Sequence, residues 1–235
     1  MEHDPKKVTS SRLDWVLTIR YGSGRLPRLL TALEPTMHLP DIQAIDAHFL
    51  RAHGIEGLIW DLDGTLTSHG ASDIHPRVRA TARRLLEHVG LRHVVLSNAP
   101  PDRLRALSAE LPGVPFVKGY VSGRNVTFRT FLSGEESWTS DRSQQARALR
   151  KPDPRLLEFA IRQMGVTRRD RIALVGDQYL TDMAPANLAG LISLKVPTLE
   201  PESFPLPVRA LQMAERGLHT WVTTTTRWIQ RPPES

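Results

Sequence analysis

Asp61 and Asp63 stand one residue apart in Trp60-Asp61-Leu62-Asp63-Gly64-Thr65, directly after the apolar run Gly57-Leu58-Ile59-Trp60. In an extended strand this spacing puts both carboxylates on one face. Gly64 then permits a sharp backbone turn. Phosphoryl transfer needs a nucleophile and a proton donor for the leaving oxygen, and such a pair can supply both. An Asp-x-Asp after a strand can also be a simple turn. The apolar run before it and Gly64-Thr65 after it favour the chemical reading.

Three further segments carry polar groups suited to the same reaction. Ser97-Asn98 follows the apolar run His93-Val94-Val95-Leu96. A hydroxyl and backbone N–H groups at a strand-to-helix turn make a phosphate cradle, although Ser and Asn there also serve as plain helix caps. Lys151 lies in Arg150-Lys151-Pro152-Asp153-Pro154 ahead of a helical pattern, where an ammonium can neutralise phosphoryl charge. Asp177 and Asp182 fall in Gly176-Asp177-Gln178-Tyr179-Leu180-Thr181-Asp182, after Ile172-Ala173-Leu174-Val175. Carboxylates at a strand end suit Mg²⁺, which takes a few oxygen ligands and keeps several waters. Asp182 can alternatively cap the helix that follows.

The elements that must hold these groups are legible from periodicity. Ile42, Ile45, Ala47, Phe49 and Leu50 predict a helix ending near Gly54. Val78, Ala82, Leu85, Leu86 and Val89 make one helical stripe that Pro76 starts and Gly90 stops. Leu104, Leu107 and Leu111 mark a helix opened by Pro100-Pro101, and Pro115-Phe116-Val117 reads as a strand. Helical spacing returns at 154–164, and again from about Asp182 to Ala189, before a last strand over Leu191 to Val196. Strands alternating with helices predict an α/β fold with a doubly wound parallel sheet. Ligands in such sheets bind outside the carboxyl ends of the strands. Residues 119–148 break the rhythm with Ser, Gly, Thr and Arg. They read as a functional loop or disordered insertion, with a hairpin near Val126-Thr127-Phe128. The organisation is therefore an N-terminal extension over 1–40, packed or interfacial, a core over 41–200 with the insertion 119–148, and a C-terminal tail over 201–235.

Composition narrows the chemistry further. The 235 residues contain no cysteine, which excludes disulfides, thiolate metal sites, iron–sulfur clusters and thiol nucleophiles. Of 31 basic residues only five are lysine, the rest arginine, and the formal charge is +6. Arginine binds phosphate bidentately, so an anionic partner fits, whether lipid, nucleic acid or a phosphorylated small molecule. A general arginine bias fits as well. No apolar run reaches the ~20 residues of a membrane span, and the N-terminus lacks a signal-peptide core. The expected location is cytoplasmic, or peripheral to the inner face of a membrane.

The order Asp-x-Asp-Gly-Thr, Ser-Asn, Lys-Pro and Gly-Asp-x-x-x-x-Asp resembles the haloacid dehalogenase (HAD) superfamily of phosphohydrolases, over roughly residues 55–196. The resemblance implies a Rossmann-like core with Asp61 as nucleophile and Asp63 as general acid, then base. Ser97, with Asn98 beside it, binds the phosphoryl group, and Lys151 stabilises its charge. Asp61, Asp177 and the main-chain carbonyl of Asp63 hold Mg²⁺, supported by Asp182 and Thr65. The gaps from Asp63 to Ser97 and from Ser97 to Lys151 are too short for a full cap domain, which favours a macromolecular or lipid-borne phosphate. His38-Leu39-Pro40-Asp41-Ile42, Gly54-Ile55-Glu56-Gly57, Gly176-Asp177-Gln178 with Thr181-Asp182 and Asn187, and Val196-Pro197-Thr198 narrow the likeness. They resemble the YqeG-type class IIIA phosphatases, which include phosphatidylglycerophosphate phosphatases. Gly64, where such proteins often have Asn, and the insertion 119–148 depart from that pattern. Two alternatives stand beside this reading: a phosphatase of nucleic-acid 3′ ends or small molecules, and a non-catalytic binding module on the same fold.

Overall fold

The structure, a computed structural model, describes residues 32–139 and 146–229, with side chains as far as 224. The N-terminal segment expected to pack or to lie at an interface falls, over 1–31, outside the described residues. Strands β1 (Met37–His38), β2 (Gly57–Asp61), β3 (Arg92–Leu96), β4 (Phe116–Ser122), β5 (Asn125–Leu132), β6 (Glu135–Trp138), β7 (Arg147–Ala148), β8 (Ile172–Gly176) and β9 (Ile192–Lys195) form one sheet. Its order is β1-β9-β8-β2-β3-β4-β5-β6, with β7 beside the far end of β4. The pairs from β1 through β4 are parallel. Those from β4 to β5 and β6 are antiparallel.

Helices α1 (Ala47–Ala52), α2 (Pro76–Leu86), α3 (Pro101–Glu110), α4 (Pro154–Met164), α5 (Ala184–Leu188) and α6 (Leu206–Ile229) flank the sheet. Strand residues alternate between two cores. Leu58, Trp60, Val95 and Val175 pack with Leu50, Val78, Leu85 and Leu104 on one face. Ile59, Val94, Leu96 and Leu174 pack with Leu156, Ala160, Met164 and Ala184 on the other. Covering both faces is what lets parallel strands read as continuous apolar runs. The fold is thus a mixed, mostly parallel α/β sheet of Rossmann-like type. Between Asp63 and Ser97 it has only a loop and α2 before β3.

Local chemistry shifted several boundaries. The helix predicted to end near Gly54 is divided, because Asp46 is extended (φ −127) and its carboxylate accepts from Phe49 N–H, starting a new helix at Ala47. The stripe from Val78 stops at Leu86, and Val89 is 95% exposed. The region 119–148, expected as a loop or disordered insertion, is mostly strand. Gly123-Arg124 joins β4 to β5, and Ser133-Gly134, both with positive φ, joins β5 to β6. Two-residue turns of this kind match strand twist. The Ser and Gly content therefore marked tight hairpins. Residues 140–145 lie outside the described residues. Beyond Pro205, α6 runs for 24 residues within what the sequence suggested was a tail.

Candidate active site

Asp61 ends β2, and Asp177 follows the last residue of the neighbouring β8. Parallel pairing puts both at the carboxyl edge of the sheet, and both are buried. Asp182 reaches the same point from the turn Tyr179–Met183 and is fully buried. Carboxylate oxygens of Asp61, Asp177 and Asp182 all lie within 4.8 Å of one another. Two glycines allow this crowding. A Cβ on Gly176 would come within 2.6 Å of the Asp182 carboxyl, and one on Gly64 within 2.8 Å of an Asp177 oxygen. Gly64 also takes φ +87, which suits glycine.

Lys151 enters the cluster from the loop before α4. Its Nζ donates to Asp61 Oδ1 and, at 2.7 Å, to Asp182 Oδ1. Burial opposes its charge, but Asp182 and Asp61 outweigh burial and hold the ammonium above its ordinary range. Asp61 and Asp182 thus share the Lys151 ammonium, while Asp177 is faced at longer range by buried Lys195 and by Lys151. Burial, then Asp182, pushes Asp177 up to about 6. Asp61 is also raised, by burial in the first place, then by Asp182 and Asp177 against the pull of Lys151. Asp177 Oδ1 is buried without a hydrogen-bond partner. An unpartnered carboxylate oxygen in a cluster of like charge suits a hard divalent cation.

The remaining expected residues surround this cluster. Thr65 Oγ1 donates to Asp61 Oδ2 at 3.4 Å. Ser97 Oγ accepts from Ala99 N–H at 3.0 Å, bracing the loop after β3. Asn98 Oδ1 accepts from Lys151 N–H at 2.9 Å, tying two loops of the site together. The Asp63 side chain points to Arg103 of α3, whose Nη1 lies 2.8 Å from Oδ1 and 3.0 Å from Oδ2. Gly70 N–H also donates to Asp63 Oδ1. His69 Nδ1 lies 3.8 Å from that oxygen, and His75 faces Glu200.

Four site residues escaped the sequence reading. Arg103 binds Asp63, Thr67 Oγ1 and the carbonyl of Ala71, clamping the turn after the first motif. Lys118 is buried on β4 and donates to the carbonyls of Asn98 and Ala99. Burial, then Arg150 and Arg129, lowers it to about 8. Gln212 and Glu215 project inward from α6. Gln212 Nε2 lies 3.5 Å from Asp177 Oδ2, while burial and then Asp182 push Glu215 up to about 7. Only a lysine inside an otherwise apolar strand could have flagged Lys118 from sequence. The other three depend on tertiary approach.

A cavity of about 560 Å³ lies elsewhere, near the amino end of β3, lined by Leu91, His93, Trp138 and Phe159. It contains none of the cluster residues. A lone large cavity is a weaker guide to chemistry than convergent, perturbed carboxylates.

The arrangement is that of a doubly wound α/β core with an acidic cluster at the strand ends. Comparison with known proteins agrees: residues 148–198, which include Lys151, Asp177 and Asp182, match the family model described as HAD-hydrolase-like. The chain is similar to phosphatidylglycerophosphate phosphatase 1, chloroplastic, of Chlamydomonas reinhardtii, with 27% identity over 206 residues. That match takes in 85% of this chain and 64% of the relative, so the chain spans less than two thirds of that protein's length. It is also similar to the probable phosphatase YqeG of Bacillus subtilis (strain 168), 25% identical over 171 residues, which are 72% of this chain and 81% of the relative. The crystal structure of an uncharacterized protein from Listeria monocytogenes serotype 4b is a distant neighbour. It has a TM-score of 0.40 and 16% identity, over 65% of this chain and 86% of that one. The HAD-like match and the relatives named as phosphatases support a phosphatase.

Proposed function

We propose that this protein is a Mg²⁺-dependent phosphomonoester hydrolase that works through an aspartyl-phosphate on Asp61 and takes a lipid-borne phosphate, phosphatidylglycerophosphate in the first place. The carrying observation is the buried convergence of Asp61, Asp177 and Asp182 around Lys151.

A carboxylate oxygen of Asp61 attacks phosphorus as the ester P–O bond breaks, and Asp63 gives its proton to the departing alkoxide oxygen. Asp63 then takes a proton from water, whose oxygen attacks phosphorus. The acyl-phosphate bond breaks, returning the Asp61 carboxylate and inorganic phosphate. Delivery of the first proton requires Asp63 to exchange Arg103 for the leaving oxygen. Lys151 orients Asp61 and offsets charge on the phosphoryl oxygens. Asp61 and Asp177 would hold Mg²⁺, which supplies charge compensation for the displacement when bound. Asp182, engaged by Lys151 and by Gln178 N–H at 3.1 Å, keeps the lysine in place.

The lipid reading draws on the relative named for phosphatidylglycerophosphate, on the short segment between Asp63 and Ser97, and on the +6 charge. Basic residues near an anionic surface contribute roughly 1 kcal/mol each. Among the described residues no helix is long and apolar enough to cross a membrane. The test is phosphate release with Mg²⁺ from phosphatidylglycerophosphate, 3′-phosphorylated DNA, sugar phosphates and nucleotides, with Asp61→Asn as control. Preferential turnover of the lipid is expected. Turnover of the DNA end but not the lipid would refute the substrate, and activity surviving in Asp61→Asn would refute the mechanism.

A further inference from the structure

Helix α6 is apolar on the side that faces away from the protein. At 3.6 residues per turn, Val208, Gln212, Glu215 and Leu218 lie on one face, and they are buried or half-buried. Leu206, Ala210, Met213, Gly217, Trp221 and Thr224 follow the opposite face, and all are exposed. Leu206 is 75% exposed, Met213 64% and Trp221 62%. An ordinary surface helix keeps its apolar stripe inward, and α6 does have Val208, Leu211, Leu218 and Val222 half-buried on its inner side, so it is apolar on both faces. Here the helix's one acidic residue, Glu215, is turned inward towards Asp177 and Asp182. Among the described side chains of α6, the charges on the exposed side are Arg209 and Arg216, which lie along one edge of the apolar stripe.

We infer that the outer face of α6 docks on an anionic lipid surface, with Leu206, Met213 and Trp221 entering the interface and Arg209 meeting the headgroups. An apolar stripe with arginine along one edge, on a helix whose one acidic residue faces inward, suits an interfacial helix. Tryptophan suits the boundary between headgroups and acyl chains. The opposite face of the same helix touches the site. Gln212 approaches Asp177, and Arg216 donates to Thr198 Oγ1 at 3.0 Å. A docked α6 therefore holds the carboxyl edge of the sheet beside the surface that carries the substrate. The inference rests on the reading of a lipid-borne phosphate and names the surface that delivers it.

The test is flotation of the full chain with phosphatidylcholine vesicles, with and without phosphatidylglycerol, at low salt. Hydrolysis of soluble p-nitrophenyl phosphate with Mg²⁺ is measured in parallel. Wild type should float with the anionic vesicles only. Met213→Asp should lower its partition about tenfold or more, and Leu206→Asp should act in the same direction. Both variants should keep the wild-type melting temperature and rate on the soluble ester. Unchanged flotation of both variants would overturn the inference and assign binding to another segment. Absence of flotation in wild type would overturn it, and a dimer that Met213→Asp dissociates would then assign the face to a second copy. Loss of soluble-ester hydrolysis in Asp61→Asn is read separately, so failure of the docking face and failure of the proposed chemistry are distinguishable.

Discussion

Glu136 lies on an edge strand of the sheet and Asp177 at the end of an interior strand, and the structure drives these two carboxylates in opposite directions. Glu136, on the antiparallel edge strand β6, is bonded by Arg129 and then Arg105, which pull it down to about 2. Asp177, at the carboxyl end of parallel β8, is buried beside Asp182 and pushed up to about 6. Among the described residues, Arg129 and Arg105 both engage Glu136 at the edge. In the central cluster Lys151 engages Asp61 and Asp182, and three buried carboxylates crowd one another. Cross-strand pairing of opposite charge is how a sheet edge stabilises itself. Buried like charge instead disfavours the folded chain and persists where a bound group repays it. The contrast separates a structural ion cluster from the site proposed to receive a cation and a phosphoryl group.

The largest break of that contrast is Asp61→Asn. It should lower phosphate release by at least ~10³-fold, measured under saturating Mg²⁺, with folding checked by circular dichroism. Asp63→Asn should come next, at ~10²-fold, if it removes general acid–base catalysis. A burst of phosphoenzyme in rapid-quench experiments would show attack at Asp61 continuing while turnover stalls.

Acidity distinguishes the two clusters without mutation. Asp177 and Glu215 are raised above their ordinary 3.8 and 4.5. Each therefore favours the fold below its ordinary value, and that contribution is lost as pH rises through about 6 and 7. Cation binding relieves the repulsion that appears there. Mg²⁺ should accordingly stabilise the fold more at about pH 8 than at about pH 5, by up to ~2.7 kcal/mol at a hundredfold excess over Kd, read as a larger rise in melting temperature. An equal shift at both values would count against Asp177 as a ligand. His93, lowered to about 4 by burial, has the opposite pH dependence but cancels between samples with and without Mg²⁺ at one pH.

The smallest effect belongs to the edge. Glu136→Gln should cost about 1 kcal/mol or less in chemical denaturation, because partly exposed ion pairs are screened by solvent. Its rate of phosphate release should match wild type. A loss of activity there would join the edge hairpins to catalysis and dissolve the distinction.

The strands were legible because parallel strands covered on both faces must be apolar throughout, as at Gly57–Trp60 and Ile172–Val175. The polar residues that end those runs were legible as a site for the same reason, since side chains at strand ends face the crevice. The hairpins of 119–148 were harder to read, because short strands on a sheet edge alternate exposure and carry turn residues that resemble a loop. Arg103 and Gln212 carried no local signal. An arginine in an amphipathic helix and a glutamine in the C-terminal tail look like solvated positions until α3 and α6 are packed.

The sequence by itself determined the alternation of strands and helices and the identity of the carboxylates, since both follow from local periodicity and from residue type at strand ends. Only the tertiary structure decided how those carboxylates share charge, because that depends on distances across long chain separations, such as the 90 residues from Asp61 to Lys151. The turn of Asp63 towards Arg103 and the two-sided character of α6 were likewise decided by packing. A helix's sequence records which faces it has, and only its neighbours determine which of them is buried.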